Sequence, residues 1–270
     1  MSFHALIKFE STSDNKFYFA DLGPDSKVIP GQGTEVDGYE SIEDLVTKKG
    51  GKPVNVGKIL APVPRTDIPI YCLSVPQNPP LWTKPAAALA NPEEDIKFNK
   101  FCASSYPDYE GELVFVTSRQ CRDLTPEAAS ANILGYTVGN DLSCRKFQMP
   151  DQAGGQYFFA KAFDKFAPIG PILVAPKTFD SASGVKLLTR LNGEVMQDGD
   201  IGADMIWKPA KILSWMSQGT TIPAGTVVMT GTPAGVGVFK DPRRLLKDGD
   251  IVEVEIPAFG TLKNKIVFEE

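Results

Sequence analysis

Apolar and polar residues alternate in Leu6-Ile7-Lys8-Phe9-Glu10 and again in Phe17-Tyr18-Phe19-Ala20, a period of two that predicts two half-buried strands. A Gly/Pro-rich turn follows, and Ser41-Ile42-Glu43-Asp44-Leu45 reads as a short helix. The proline-spaced run Ala61-Pro62-Val63-Pro64-Arg65 has the composition of a linker. It marks off a small N-terminal α+β domain, residues 1–65, from a larger one, residues 66–270. In the larger part, short apolar runs broken by Gly and Pro predict strands at Leu81-Trp82-Thr83, Leu113 to Thr117, Leu134 to Val138, Ile172 to Ala175, Val227 to Thr230, Val252 to Ile256 and Gly260 to Lys265. Asn192-Gly193, between Leu187 to Leu191 and Glu194 to Gln197, predicts a hairpin, because both central positions of a type I′ turn need positive φ. Helices are few. Thr125-Pro126-Glu127 supplies a capping hydroxyl, a proline at the first helical position and an early acid. Met205 to Met216, introduced by Asp204, is the other candidate, with Pro209 placed early in it or kinking it. The fold class is therefore mainly β with peripheral helices, a roll or barrel, and not an alternating βαβ layout.

Composition narrows the chemistry. The chain has 270 residues and a net charge of -5, with no basic run, so neither nucleic acid nor an anionic membrane is expected as a partner. No segment is apolar enough to span a bilayer and the N-terminus has no signal pattern, so the expected location is cytoplasmic. The four cysteines, Cys72, Cys102, Cys121 and Cys144, contain no C-x-x-C pair and are expected to be free thiols, mostly buried. His4 is the only histidine. A Ser-His-Asp, Cys-His or histidine-rich metal centre therefore cannot be assembled within one chain, and any base must be a carboxylate, lysine, tyrosine or metal-bound water. Gly231-Thr232-Pro233-Ala234-Gly235-Val236-Gly237 lacks the Lys-Ser/Thr of a phosphate-binding loop and precedes no helical pattern.

Glu110 and Glu112, two apart at the head of a predicted strand, place their carboxylates on one face, where they repel each other unless a cation, a basic partner or solvent compensates. Asp141, in Gly139-Asn140-Asp141, is the expected third ligand. An all-oxygen set favours Mg²⁺, with Ca²⁺ or Mn²⁺ as alternatives, over Zn²⁺. Taken alone, Glu-x-Glu also fits a solvated strand face.

The blocks Lys84-Pro85, Asp108-Tyr109-Glu110-Gly111-Glu112-Leu113, Gly135 to Ser143, Asn192-Gly193-Glu194 and Thr230 to Gly237 together resemble the fumarylacetoacetate hydrolase family, from about residue 68 to the C-terminus. The resemblance implies a mixed β-sandwich roll, a homodimer, and a Mg²⁺ (or Ca²⁺ or Mn²⁺) site that chelates a small 2-oxo or 1,3-dioxo acid substrate. It implies hydrolysis of acylpyruvates, decarboxylation of oxaloacetate, or isomerisation of dienoic diacids as the activity. By the same resemblance Glu110, Glu112 and Asp141 are metal ligands, Arg145 and Lys161 are catalytic, and Gln148, Thr232 and Gly231 bind substrate. Lys146 stands where the family usually has an Asp. Taken singly, Arg145 also fits a structural ion pair, and Lys161 a solvated strand lysine.

Between Ile70 and Lys84 the chain departs from the family pattern. An Asn-Tyr and a His-x-x-Glu acid/base dyad are usual there, whereas this chain reads Tyr71-Cys72-Leu73-Ser74-Val75-Pro76-Gln77-Asn78-Pro79-Pro80-Leu81-Trp82. Loss of the dyad disfavours hydrolysis, which needs a base to activate water, relative to decarboxylation or isomerisation. The competing expectation is a binding protein or pseudoenzyme that keeps the metal site and turns nothing over.

Overall fold

The computed structural model describes residues 6–23, 30–60, 77–176, 179, 184–257 and 259–270. His4, Cys72, the expected linker and the segment Tyr71 to Pro76 lie outside them. Contacts divide the chain into two compact units, Met1–Ile68 and Pro69–Glu270, and the expected boundary at 65/66 falls among residues not described.

In the first unit, strands β1 (Leu6–Ser11), β2 (Phe17–Asp21) and β3 (Glu35–Gly38), helix α1 (Ile42–Thr47) and strand β4 (Lys52–Leu60) follow in order. The strands pair antiparallel in the order β2-β1-β4-β3. The alternation noted in the sequence buries Ile7, Phe9, Tyr18 and Ala20 against Val54 and Val56. Ser41 caps α1 by accepting the Asp44 N–H at 3.0 Å.

The second unit runs through β5 (Leu89–Ala90), β6 (Ile96–Phe98), α2 (Lys100–Ala103), β7 (Pro107–Asp108), β8 (Gly111–Thr117), α3 (Pro126–Ser130), β9 (Ile133–Asn140) and β10 (Ser143–Cys144). It continues with α4 (Pro150–Ala153), α5 (Phe158–Lys161), β11 (Ala167–Val174), β12 (Lys186–Leu191), β13 (Glu194–Asp200), α6 (Ile201–Asp204), α7 (Pro209–Met216), β14 (Val227–Met229), β15 (Ile251–Ile256) and β16 (Gly260–Phe268). Two five-stranded sheets result, ordered β14-β8-β9-β11-β5 and β13-β12-β15-β16-β6. They are mixed, because β5 joins β11 and β6 joins β16 in parallel while the other pairs are antiparallel. Leu113 and Val138 of the first sheet share one core with Leu187, Val252, Val254, Leu262 and Ile266 of the second, which makes the unit a sandwich. A second core forms where Ile212 and Leu213 of α7 meet Phe115, Ile133 and Val228.

The β12–β13 hairpin turns at Asn192 (φ 53°) and Gly193 (φ 84°), both in the left-handed region. Asn192 has a second task. Its amide oxygen accepts the Ile251 N–H at 2.8 Å and its amide N–H donates to Asp250 at 2.8 Å, so the turn is pinned to the start of β15.

Two expectations are corrected. Leu81-Trp82-Thr83 forms no strand: the segment is irregular and exposed, between Pro79-Pro80 and Pro85, and proline supplies no ladder donor. The helix expected over Met205 to Met216 is shorter: within that span only α7, Pro209–Met216, is helical, and residues 205–208 separate it from α6. α6 is capped by Asp200 and ends at Asp204, and α7 starts afresh with Pro209 at its first position, where the missing N–H costs nothing. The three described cysteines, Cys102, Cys121 and Cys144, are free and buried, as expected.

Asp250 accepts from Arg244, Asn192 and the Lys247 N–H. Burial works against its charge, but these donors outweigh burial and hold the carboxyl below its ordinary pKa. A carboxyl depressed in the folded state adds stability above its unfolded pKa and loses it as pH falls through the folded value. Asp250→Asn is therefore expected to lower stability by about 1–3 kcal/mol near neutrality and to flatten the acid limb of a Tm-against-pH curve. A variant with an unchanged acid limb would contradict this.

Candidate metal centre

The register of β8 against β9 pairs Gly111 with Asn140 and Glu112 with Gly139. The ladder continues one residue beyond β8, where the Asp141 N–H donates to the Glu110 carbonyl at 2.8 Å and the Glu110 N–H donates to the Asn140 side chain at 3.0 Å. Glu110 thus precedes the strand, a correction to the expectation that both glutamates lie on it. The alternation still holds, and Gly111 between them turns toward the second sheet. One carboxylate oxygen each from Glu110, Glu112 and Asp141 lie within 4.8 Å of one another, and all three residues are buried.

Cations surround them. Lys161 reaches Glu110 at 2.9 Å, Asp141 at 2.5 Å and the Ser143 hydroxyl at 2.9 Å. It sits in a helical turn, α5, and is buried, which corrects the picture of a solvated strand lysine. Burial works against its charge, but the Asp141 and Glu110 carboxylates outweigh burial and raise its pKa. Asp141 is lowered in turn: burial opposes ionisation, and the ammoniums of Lys161 and Lys84 outweigh it. Arg145, in the 3-10 turn Arg145–Gln148, donates from Nε to Asp108 at 2.8 Å and from NH1 to Glu110 and to Gln148 Oε1, the latter at 3.0 Å.

Glu112 is the exception. Burial and the charges of Asp141 and Glu110 push its pKa well above the ordinary value, against Lys161 and one N–H from Gly231 at 2.7 Å. A buried carboxyl so placed favours a proton or an added cation. Three converging carboxylates with one in this state fit a hard divalent cation, Mg²⁺, Mn²⁺ or Ca²⁺, held by Glu110, Glu112 and Asp141. All the donors are oxygens, with no thiolate or imidazole among them, so Zn²⁺ is disfavoured.

Gly231 therefore reaches the centre through its backbone N–H on Glu112. The Thr232 hydroxyl is engaged within the loop, donating to the Gly111 carbonyl at 2.9 Å and accepting from Gln197 at 2.7 Å. Sequence reasoning missed two residues. Lys84 donates to Leu142, Lys161 and Phe166 carbonyls at 3.1, 2.8 and 2.8 Å and pairs with Asp141 at 2.7 Å, so one ammonium ties these backbone groups to a carboxylate of the cluster. Burial lowers its pKa despite the Asp141 charge. Asp108 is fully buried. Oδ1 accepts the Tyr109 and Gly237 N–H groups at 2.9 and 2.8 Å, and Oδ2 accepts the Val238 N–H at 3.0 Å beside Arg145. The only signal for either lay in their presence inside the quoted blocks.

The family model described as "Fumarylacetoacetate (FAA) hydrolase C-terminal" matches residues 55–267. The chain belongs to the fumarylacetoacetate hydrolase family. Among relatives in this family, oxaloacetate tautomerase FAHD2A, mitochondrial, from Bos taurus is 35% identical over 236 residues, covering 83% of this chain and 74% of that protein. Oxaloacetate tautomerase YisK from Bacillus subtilis is 31% identical over 224 residues, covering 77% and 73%. A family structure, fumarylpyruvate hydrolase from Pseudomonas aeruginosa in complex with Mn²⁺ and pyruvate, superposes with a TM-score of 0.61 at 28% identity, covering 72% of this chain and 81% of that one. The mainly β family fold expected from the sequence is the one observed.

If Asp108 acts on the centre through Arg145, the two residues are energetically coupled. Breaking a buried pair from either side costs about 3–5 kcal/mol. Urea unfolding of Asp108→Asn, Arg145→Ala and the double variant is expected to show a coupling of about 2 kcal/mol or more, and additive losses would refute it.

Proposed function

We propose that this chain is a divalent-cation-dependent enzyme that interconverts the enol and keto forms of a small 2-oxo acid, with oxaloacetate as the leading substrate. The observation that carries this reading is the meeting of three buried carboxylates beside Arg145 and Lys161. The names of the relatives support the substrate class, and the Mn²⁺ and pyruvate of the fumarylpyruvate hydrolase complex support the pairing of cation and oxo acid. Mg²⁺ is the proposed ion, with Mn²⁺ and Ca²⁺ as alternatives from the same donor set.

A divalent cation held by Glu110, Glu112 and Asp141 supplies a Lewis acid for the 2-oxo group. The remaining work falls to the chain's own side chains. Lys161 is kept charged by Asp141 and Glu110, so it holds negative charge developing on the substrate oxygen rather than removing a proton. Arg145 is fixed at Nε by Asp108 and at NH1 by Glu110 and Gln148, which orients its guanidinium for a substrate carboxylate. Gly231 holds Glu112, and Thr232 keeps the loop against Gly111. Tautomerisation moves one proton between C3 and the 2-oxygen and needs no activated water. Hydrolysis needs one, and the His-x-x-Glu dyad that would activate it is absent from the sequence.

The same absence favours a second reading, a cation-binding protein without turnover. Enol absorbance of oxaloacetate, followed with Mg²⁺ or Mn²⁺ and corrected for the free cation, separates the two. Glu112→Ala and Lys161→Met are each expected to lower kcat/KM by about 10²-fold or more. Parent rates no faster than the free cation, with cation binding intact, would leave the binding protein as the answer.

A further inference from the structure

An ammonium has three N–H donors, and on Lys161 all three are taken, by Glu110 at 2.9 Å, Asp141 at 2.5 Å and the Ser143 hydroxyl at 2.9 Å. As folded, none is left over for a substrate. The three cations of the centre differ in what else holds them. Lys84 is anchored by the Leu142, Lys161 and Phe166 carbonyls, and Arg145 by Asp108 and Gln148, so neither depends on Glu110 or Asp141 alone. Lys161 does depend on them. Two of its three partners are the carboxylates of Glu110 and Asp141, and the third is a neutral hydroxyl. Its backbone is fixed separately, through the Lys84 bond to its carbonyl, so the ammonium can leave without the turn that carries it. Glu112, by contrast, forms no ion pair among the described residues and accepts one N–H from Gly231.

We infer that the Lys161 ammonium is a resident counter-ion of the cluster, which a divalent cation must displace from Glu110 and Asp141, freeing its N–H donors for the oxo acid. The inference rests on the proposed cation site and extends it from what the cation does to what makes room for it. A divalent cation and an ammonium on the same two carboxylates repel each other strongly in a buried site. Glu112, which no ammonium or guanidinium holds among the described residues, gives the incoming cation its first oxygen. The competing role for Lys161 is a permanent support, in which the ammonium stays on both carboxylates and keeps them aimed at the ion.

Calorimetric titration with Mg²⁺ and with Mn²⁺, in the absence of any substrate, separates these roles. Ser143→Ala keeps every charge and removes one of the three contacts that hold Lys161, so displacement becomes easier and Kd is expected to fall by about 3-fold or more. The variant also loses the Ser143 bond to the Asp141 carbonyl, which loosens the cluster and acts the other way, so the sign of the change decides. Lys161→Met removes the competitor outright and is expected to lower Kd by about 10-fold or more, although the same variant slows the proposed reaction. Glu112→Ala should abolish the binding. Unchanged or weaker binding in Ser143→Ala overturns the exchange, as does binding that survives Glu112→Ala, or no binding by any of the proteins. Tightening in Lys161→Met without tightening in Ser143→Ala would mean that the lysine repels the ion from where it stands, and overturns displacement as well. If Lys161→Met fails to fold, Ser143→Ala carries the test by itself. Tighter binding in the variants, with no turnover of oxaloacetate by the parent, would refute the proposed enzyme and leave the exchange standing.

Discussion

Four carboxylates and three cations share one buried space, and their mutual compensation is the constraint on which the rest of the second unit depends. Asp108, Glu110, Glu112 and Asp141 face Lys84, Arg145 and Lys161. Each ion on its own would cost several kcal/mol to bury. Paired, they leave one negative charge in surplus, and the surplus falls on Glu112, whose pKa burial and the neighbouring carboxylates push well up. Adding a divalent cation turns that surplus into a single net positive charge, a state suited to an anionic substrate. The same ledger that makes the interior tolerable as folded thus makes it receptive once a metal is held.

The backbone delivers this arrangement with short-range means. One register, Gly111 opposite Asn140, brings Asp141 beside Glu110 without a loop of its own. Arg145 and Lys161 sit in brief helical turns, where a few residues of local structure aim a long side chain, and the phenylalanines behind them hold those turns in place. Asp108 joins the arginine to the glycine-rich stretch by accepting the Gly237 and Val238 N–H groups. A glycine is required at 237 because a Cβ there would overlap the Arg244 carbonyl and crowd Asp108. The glycine-rich stretch, which lacks the marks of a phosphate-binding loop, is a cradle for a carboxylate of the chain itself.

Features set by neighbouring residues were legible in the sequence. Asn192-Gly193 announced a hairpin through its demand for positive φ, Thr125-Pro126 announced a helix start, and Glu110, Glu112 and Asp141 were singled out as carboxylates that the fold does bring together. Roles set by distant contacts were not. Lys84 earns its place through partners 57 to 82 positions away, and Asp108 through N–H groups some 130 residues downstream. Leu81-Trp82-Thr83 has the composition of a strand, yet prolines on either side deny it a ladder. The helix expected over Met205 to Met216 begins only at Pro209, whose two permitted places in a helix the sequence alone could not choose between.

Gly111 carries a further consequence. On the side facing away from the glutamates, a methyl group added to it would overlap the Thr189 hydroxyl and press on Val254 and Leu187 of the second sheet. Glu110 and Glu112 therefore flank a point of close contact between the sheets. Because Mg²⁺ demands a tighter and more regular oxygen shell than Ca²⁺, the fit of the proposed ion would depend on Thr189, Val254 and Leu187, residues outside the carboxylate cluster.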